Sequence, residues 1–409
     1  MLSDLYDWLD NAARRTPLLG PVFLGLLVLG RRLIQFLRDL APAVVRIDGR
    51  LGGAPVTLRV VGDQRWVAGW VAGLLSETTA RSEGRLVIFG LPAALGRWRK
   101  EAAFTAVHLG SWSHALWRWC FDLTLPRYAS SVVRFGPEWP EARGWARNVR
   151  RLRRGGFVYR VTRDSADIRR FYRHLYLPTM RARHGPGASV VREATIRYWA
   201  GRGGLLLVER DGEKAPLGGV AFEQSGRSLL AAVMGVAEGD LSLYKEGVGL
   251  AIYFYLLTWA RQQALDYVDL GGNPPILSSS HLLFKSRWGA TLARYQGAIH
   301  RVGLVFAGEG APREGLCRIL AASPLIFEFG RGLGLVRCLG RRAEDQTGAP
   351  PGSPPGPLPG SPLLEGLKVL RDLDCSTGAP AERACPLALG GARSRKLWRK
   401  LSILDECSR

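Results

Sequence analysis

YKEGVGLAIYF, residues Tyr244 to Phe254, places two glycines one residue apart, a lysine just upstream and an apolar run immediately after. Gly247 and Gly249 let the backbone approach a ligand closely and turn its N–H groups outward. The run LAIYFYLLTWARQQA, from Leu250, has helical spacing, and the amino end of a helix adds the positive end of a dipole. A glycine turn before a helix can hold phosphate. It is equally the mark of a plain turn, so the surrounding segments decide.

Upstream, GGLLLVERDG, LGGVAFEQSG and SLLAAVMGVA read as three strands of a meander. Asp211-Gly212 and Ser225-Gly226 supply the hairpin turns. FVYRVT reads as a strand before them, and SADIRRFYRHLYLPTMRARHG as a helix capped by Ser165 and disturbed at Pro178. Downstream, YVDLGG is a strand, HLLFKSRWG a short helix and TLARYQGAIHRVG a closing strand.

This order resembles the GNAT acyltransferase superfamily. In that family the loop after the fourth strand binds the pyrophosphate of acyl-CoA through backbone amides. Its pattern is Gln or Arg, two residues, Gly, one residue, then Gly or Ala. Gly247 and Gly249 fill the glycine places, while Tyr244 stands where Gln or Arg is usual and Lys245 offers a charge one place along. The resemblance implies a donor site at Tyr244, Lys245, Gly247, Val248, Gly249 and Leu250. It also implies a backbone amide near Met234 to Val236 that holds the acyl carbonyl, where the fourth and fifth strands splay.

YVDLGGNPPILSSSHLLFKSRWGA narrows the likeness to the FemAB-like and cellulose-biosynthesis-associated branch. There a D-x-G strand end precedes a K-x-x-W/F-G element, and Asp269, Gly271, Lys285, Trp288 and Gly289 stand in those places. The resemblance implies Asp269 and Lys285 as catalytic residues. Arg183, His184, Asn273 and Trp288 are expected on the acceptor side. The bland readings stay open: Asp269 as the cap of a strand-end turn, Lys285 as a surface lysine, and Arg183 and His184 as a solvated loop. Glu223, Glu238 and Asp240 are carboxylates near the meander with no assigned role.

FemAB-like proteins carry two GNAT-like halves, so the expected fold is α+β, with two tandem mixed, mostly antiparallel sheets flanked by helices. Residues 1–41 form an apolar helical segment, 42–142 a degenerate first half without a glycine loop, and 143–308 the acyltransferase half. Residues 309–347 are expected as a helical extension and 348–409 as a disordered linker and tail. The Pro/Gly-rich stretch Gly348 to Pro362 cannot form a packed core. In the first half, APVTLRVVG and GRLVIFGLP read as strands, WVAGWVAGLLSETTARS as a helix, and the Trp-rich stretch around His108 and His114 as core. ARNVRRLRRGGF, Ala146 to Phe157, is a basic helical segment.

The formal net charge of +22 favours anionic partners without choosing among nucleic acid, lipid, phosphate-rich small molecules and acidic glycans. Six scattered cysteines with no CxxC pair argue against a zinc ribbon and suggest reduced thiols in the cytoplasm. Pro17 to Gly30 carries no charge. As a helix it reaches about 21 Å, short of the roughly 30 Å hydrocarbon core. Asp4, Asp7 and Asp10 spoil a signal-peptide n-region. Two readings stay open: an interfacial helix on an anionic membrane with Arg31, Arg32 and Arg38 at the lipid phosphates, or a helix docked on the protein's own core.

The expectation is an N-acyltransferase using acetyl-CoA or another acyl-CoA, with no metal. Its acceptor is an amine on a cell-envelope, polysaccharide or lipid-linked molecule. Aminoacyl-tRNA is the alternative donor. A catalytically silent GNAT-like scaffold is the alternative class, favoured by Tyr244 and by the absence of an obvious base.

Overall fold

The computed structural model describes residues 20–63, 75–136, 149–150, 152, 154–185, 188, 190–213, 215–295, 300–308, 310–329, 332–339, 367–374 and 380–384. Most of the expected helix from Trp66, the stretch Gly348 to Pro362 and the tail segment SRKLWRKLSIL lie outside them. The chain is α+β, with three sheets flanked by helices.

The first element among the described residues is α1 (Gly20–Asp39), followed by β1 (Ala43–Leu51), β2 (Ala54–Val61) and β3 (Ser76–Arg85). SETTARS, expected as the end of a helix, is instead part of β3, a wholly exposed edge strand paired with β1. Its threonines and charged side chains suit a solvated edge. GRLVIFGLP is not a strand either. Pro92 sits in the first turn of α2 (Leu91–Trp98), where its missing N–H costs nothing. β4 (Phe104–Gly110), α3 (Ser111–Trp117) and β5 (Leu123–Pro126) follow. His108 and His114 are buried there, and burial first of all pushes them down to about 3 and about 4.

β6 (Ala129–Arg134) leaves this unit and joins the next sheet. That sheet continues with β7 (Phe157–Thr162) and a bent helix, α4, over residues 165–184. Asp164, not Ser165, caps α4: its side chain accepts from the amides of Ala166 and Asp167. Pro178 does not end the helix. A π turn over Phe171–Tyr176 precedes it and absorbs the missing N–H, while Thr179 Oγ1 donates to the Leu175 carbonyl at 2.7 Å. α5 (Glu193–Arg202), β8 (Gly204–Arg210), β9 (Gly218–Ser225) and β10 (Ser228–Val236) form the expected meander. Then come α6 (Ser242–Glu246), α7 (Val248–Gln262), β11 (Tyr267–Asn273), α8 (Ser280–Ser286) and β12 (Thr291–Arg294).

TLARYQGAIHRVG is two strands, not one. β13 (His300–Phe306) crosses to the first sheet and lies between β4 and β5. The first sheet therefore runs β3-β1-β2-β4-β13-β5, and the second β12-β6-β11-β10-β9-β8-β7. Each sheet contains a strand from beyond the boundary drawn between the halves. Val302 and Leu304 of β13 are fully buried in the first core, and Val133 of β6 in the second.

Within residues 309–347 lie α9 (Ala311–Ala322) and then two strands, β14 (Leu325–Phe329) and β15 (Gly332–Leu339). β16 (Leu367–Asp374) and β17 (Pro380–Ala384), in the stretch expected to be disordered, complete a third sheet in the order β14-β15-β16-β17. Packing explains the correction. Leu325 and Phe327 enter the first core, and Leu333 and Leu367 form a cluster with Leu282 and Leu292. Cys317 of α9 is disulfide-bonded, which removes the argument from reduced thiols.

Residues 143–308 expressed alone lack β6, the strand between β11 and β12. They should give no cooperative thermal transition by circular dichroism, whereas a chain starting at residue 20 should.

Candidate active site

β10 and β11 are parallel neighbours for a short distance only. Ser228 pairs with Tyr267, Leu229 with Val268 and Leu230 with Asp269. Beyond that, β10 runs to Val236 against β9, and β11 runs to Asn273 against β6. Both strands change register at the parting, β10 between Ala231 and Val233, β11 between Asp269 and Gly272. The bulge sets Ala232 out of register, and a bulge leaves a residue unpaired in its ladder.

The two residues expected to be catalytic hold this parting open. Gly271 has φ +83, a left-handed conformation that favours glycine. Asp269 Oδ1 accepts from the Gly271 N–H at 2.8 Å, and Oδ2 accepts from Ser130 Oγ at 2.9 Å. Lys285 Nζ donates to the Gly271 carbonyl at 3.0 Å. One carboxylate and one ammonium thus grip the two polar groups of a single residue. Burial raises the Asp269 carboxyl, opposed by the Gly271 and Ser130 hydrogen bonds and by the Lys285 charge. Burial pushes Lys285 down to about 8, with Asp269 opposing.

Arg183 and His184, at the end of α4, are exposed on the same side. The Arg183 guanidinium lies 4.7 Å from the Tyr244 ring centroid. A cation is therefore present beside Tyr244, but it comes from α4 and not from Lys245, which is exposed on α6. The Tyr244 hydroxyl is buried without a hydrogen-bond partner. Gly247 takes φ +112 and separates α6 from α7. Gly249 has a different reason to be glycine: an added Cβ would lie 2.6 Å from the Tyr244 ring. Val248 is fully buried, and Leu250 is half-buried against the same core.

Other expected site residues sit elsewhere. Trp288 is 1% exposed and stacks on Tyr253 at 6.2 Å, so it is core and not an acceptor contact. Asn273 is fully buried in the sheet, its Nδ2 donating to Ala129 O and Ser131 Oγ, with Oδ1 unpaired. Val236 already gives its amide to Thr179 Oγ1 at 2.9 Å, so it is not available to a carbonyl. Met234 is a half-buried ladder residue paired with Val220. Glu223 is paired with Arg202, Glu238 with His174, and Asp240 accepts from the Ser242 amide.

His281, one turn before Lys285 on α8, had no role in the sequence reading. Part of its ring meets solvent. The surrounding protein holds it below the ordinary 6.5, and Arg183, Lys285 and His184 push the same way. It is therefore a neutral imidazole at pH 7 beside the cationic groups. The i, i+4 spacing from Lys285 was the signal available in the sequence.

No protein-family model matches the chain, and no curated protein matches it. Solved structures similar to it include L-PGS from Bacillus licheniformis, at 10% identity over 67% of this chain and 84% of that one, TM-score 0.32. The C-terminal domain of a putative lysylphosphatidylglycerol synthetase from Agrobacterium fabrum aligns at 12% identity over 67% and 83%, TM-score 0.33. A GCN5-related N-acetyltransferase from Sphaerobacter thermophilus aligns at 14% identity over 66% and 79%, TM-score 0.28.

The Lys285 ammonium sets a pH test. Its folded value of about 8 lies below the ordinary 10.5, so the unfolded chain holds the proton more tightly between them. Wild-type stability relative to Lys285→Met should therefore rise as pH goes from 8 to 10.5, read by urea denaturation across that range. A flat difference would show that Lys285 is not held in the Gly271 grip.

Proposed function

We propose that the protein is an N-acyltransferase that moves an acyl group from acyl-CoA to an amine of a cell-envelope, polysaccharide or lipid-linked acceptor. The observation that supports this is the parting of β10 and β11 after three paired residues, with α6 and then the amino end of α7 following β10 along the chain. Two diverging strands leave backbone N–H and C=O groups that an extended thioester arm can pair with. The phosphates of the donor then meet the first turn of α7 beyond Gly247. Arg183, stacked on Tyr244, supplies the positive charge that the side chain at 244 lacks.

In this reading the acceptor nitrogen attacks the thioester carbonyl carbon. A C–N bond forms, the C–S bond breaks, and the thiolate leaves to take a proton from solvent. The proton lost by the nitrogen goes to the neutral His281 imidazole. The bulge amide at Ala232 takes the place first expected around Met234 to Val236 and holds the developing oxyanion. Asp269 and Lys285 act as positioning residues through Gly271.

Thermal-shift titration with acetyl-CoA, longer acyl-CoAs, CoA and charged tRNA tests the donor. Acyl-CoA should raise the melting temperature. Gly247 is a poor test position, since any side chain strains its left-handed turn. Arg183→Glu is exposed, and should keep the fold while weakening acyl-CoA binding about tenfold or more through loss of a charge-assisted contact. Stabilisation by charged tRNA alone would reassign the donor, and stabilisation by none of these ligands would favour the silent scaffold.

With a base whose value lies below 6.5, kcat/KM should rise with pH through that group and level off above it. His281→Ala should lose that rise while binding acyl-CoA normally. An unchanged profile in the variant would remove His281 from the reaction.

A further inference from the structure

One face of the described part of α1 is fixed to the first unit. Asp39 Oδ2 accepts from the Gly110 N–H at 2.7 Å, and Gln35 Nε2 donates to Asp39 Oδ1 at 2.7 Å. Leu29, Leu33 and Leu37 are 50%, 49% and 56% exposed. They recur every four residues, so they share a stripe turned away from Gln35 and Asp39. Gly110 also caps α3, so the two helices meet there.

α3 and the 3-10 turn after it, Arg118–Cys120, carry the second part of the surface. The Trp-rich stretch was expected to be core, yet Trp112, Leu116 and Trp119 are 37%, 53% and 71% exposed. Phe89, 70% exposed, meets Trp117 edge-on at 6.2 Å, and Trp117 lies 6.3 Å from Trp119. Trp117 thus joins Phe89 and Trp119 into one aromatic ridge. Apolar surface of this extent on a folded chain marks an interaction site.

Charge selects the occupant. Arg32, Arg38 and Arg118 are exposed among these apolar side chains. The one carboxylate on α1, α3 and the 3-10 turns Ile88–Gly90 and Arg118–Cys120 is Asp39, which is 4% exposed and committed to Gly110. Exposed Trp and Leu interleaved with Arg, without exposed acid, match the boundary between lipid headgroups and acyl chains. No described helix is long and apolar enough to cross a membrane. We propose that this face docks on an anionic lipid bilayer, with α1 in the interfacial plane and Phe89, Trp112, Leu116 and Trp119 inserted beside it. The docking surface is therefore composite, and it stands whether or not the chain transfers acyl groups.

Flotation of the full chain with phosphatidylcholine–phosphatidylglycerol vesicles, against phosphatidylcholine alone, tests this. The chain should float with the anionic vesicles and be partly released by high salt. Trp112→Ser with Trp119→Ser should weaken vesicle binding about tenfold or more while the melting temperature holds, because both side chains are exposed. Arg32→Glu with Arg38→Glu should remove the salt-sensitive part. Brominated acyl chains should quench the wild-type tryptophan emission more than that of the double Trp variant. Absence of flotation overturns the proposal, as does flotation that the aromatic variant leaves unchanged. Self-association without vesicle binding, abolished by the same substitutions, would assign the face to a second copy of the chain and likewise overturn it.

Discussion

The two polar groups of Gly271 are the point on which the second sheet turns. Asp269 takes its N–H and Lys285 its carbonyl. A left-handed residue in a strand breaks the ladder on both sides, and here the break is where β11 parts from β10. Desolvating a carboxylate and an ammonium is costly, so their mutual attraction and shared attachment to one backbone residue matter more than either alone. The pair therefore shapes the site more directly than it touches a substrate.

The exchange of β6 and β13 ties that site to the rest of the molecule. β6 carries Ser130, which holds the second oxygen of Asp269, and Ser131, which holds Asn273. A strand from the first part of the chain thus supplies hydrogen bonds to the parting in the second sheet. In return β13 fills the first sheet between β4 and β5. Neither sheet is complete from a contiguous stretch of sequence, and the two cores depend on each other for strands.

The basic side chains at this end of the sheet come from separate elements: Arg183 and His184 from α4, Lys285 from α8. Burial first of all holds the His281 imidazole below its ordinary value, and Arg183, Lys285 and His184 act in the same direction. Tyr244 packs between α4 and α7, with the Arg183 guanidinium over its ring and Gly249 against it. The tyrosine that looked like a departure from the glycine-loop pattern is thus the packing partner of one of its glycines.

The meander β8 to β10, the glycine turn at Gly247 and helix α7 were legible in the sequence, because alternation, hairpin dipeptides and helical spacing are local signals. Asp269, Lys285, Tyr244 and Arg183 could be singled out by motif and residue type, but the contact of Arg183 with the Tyr244 ring joins two helices and left no local mark. Strand exchange was not legible, since pairing between β6 and β11 or β13 and β4 joins residues far apart in sequence and leaves no local mark. The same holds for β16, which pairs with β15 across a Pro/Gly-rich stretch. The burial of Trp288 and Asn273, the engagement of the Val236 amide by Thr179, and the exposure of Trp112 and Trp119 were decided by tertiary packing alone. Residue type and spacing determine which side chains are available; which of them meet solvent, and which backbone groups remain unpaired, depends on neighbours that only the folded chain brings near.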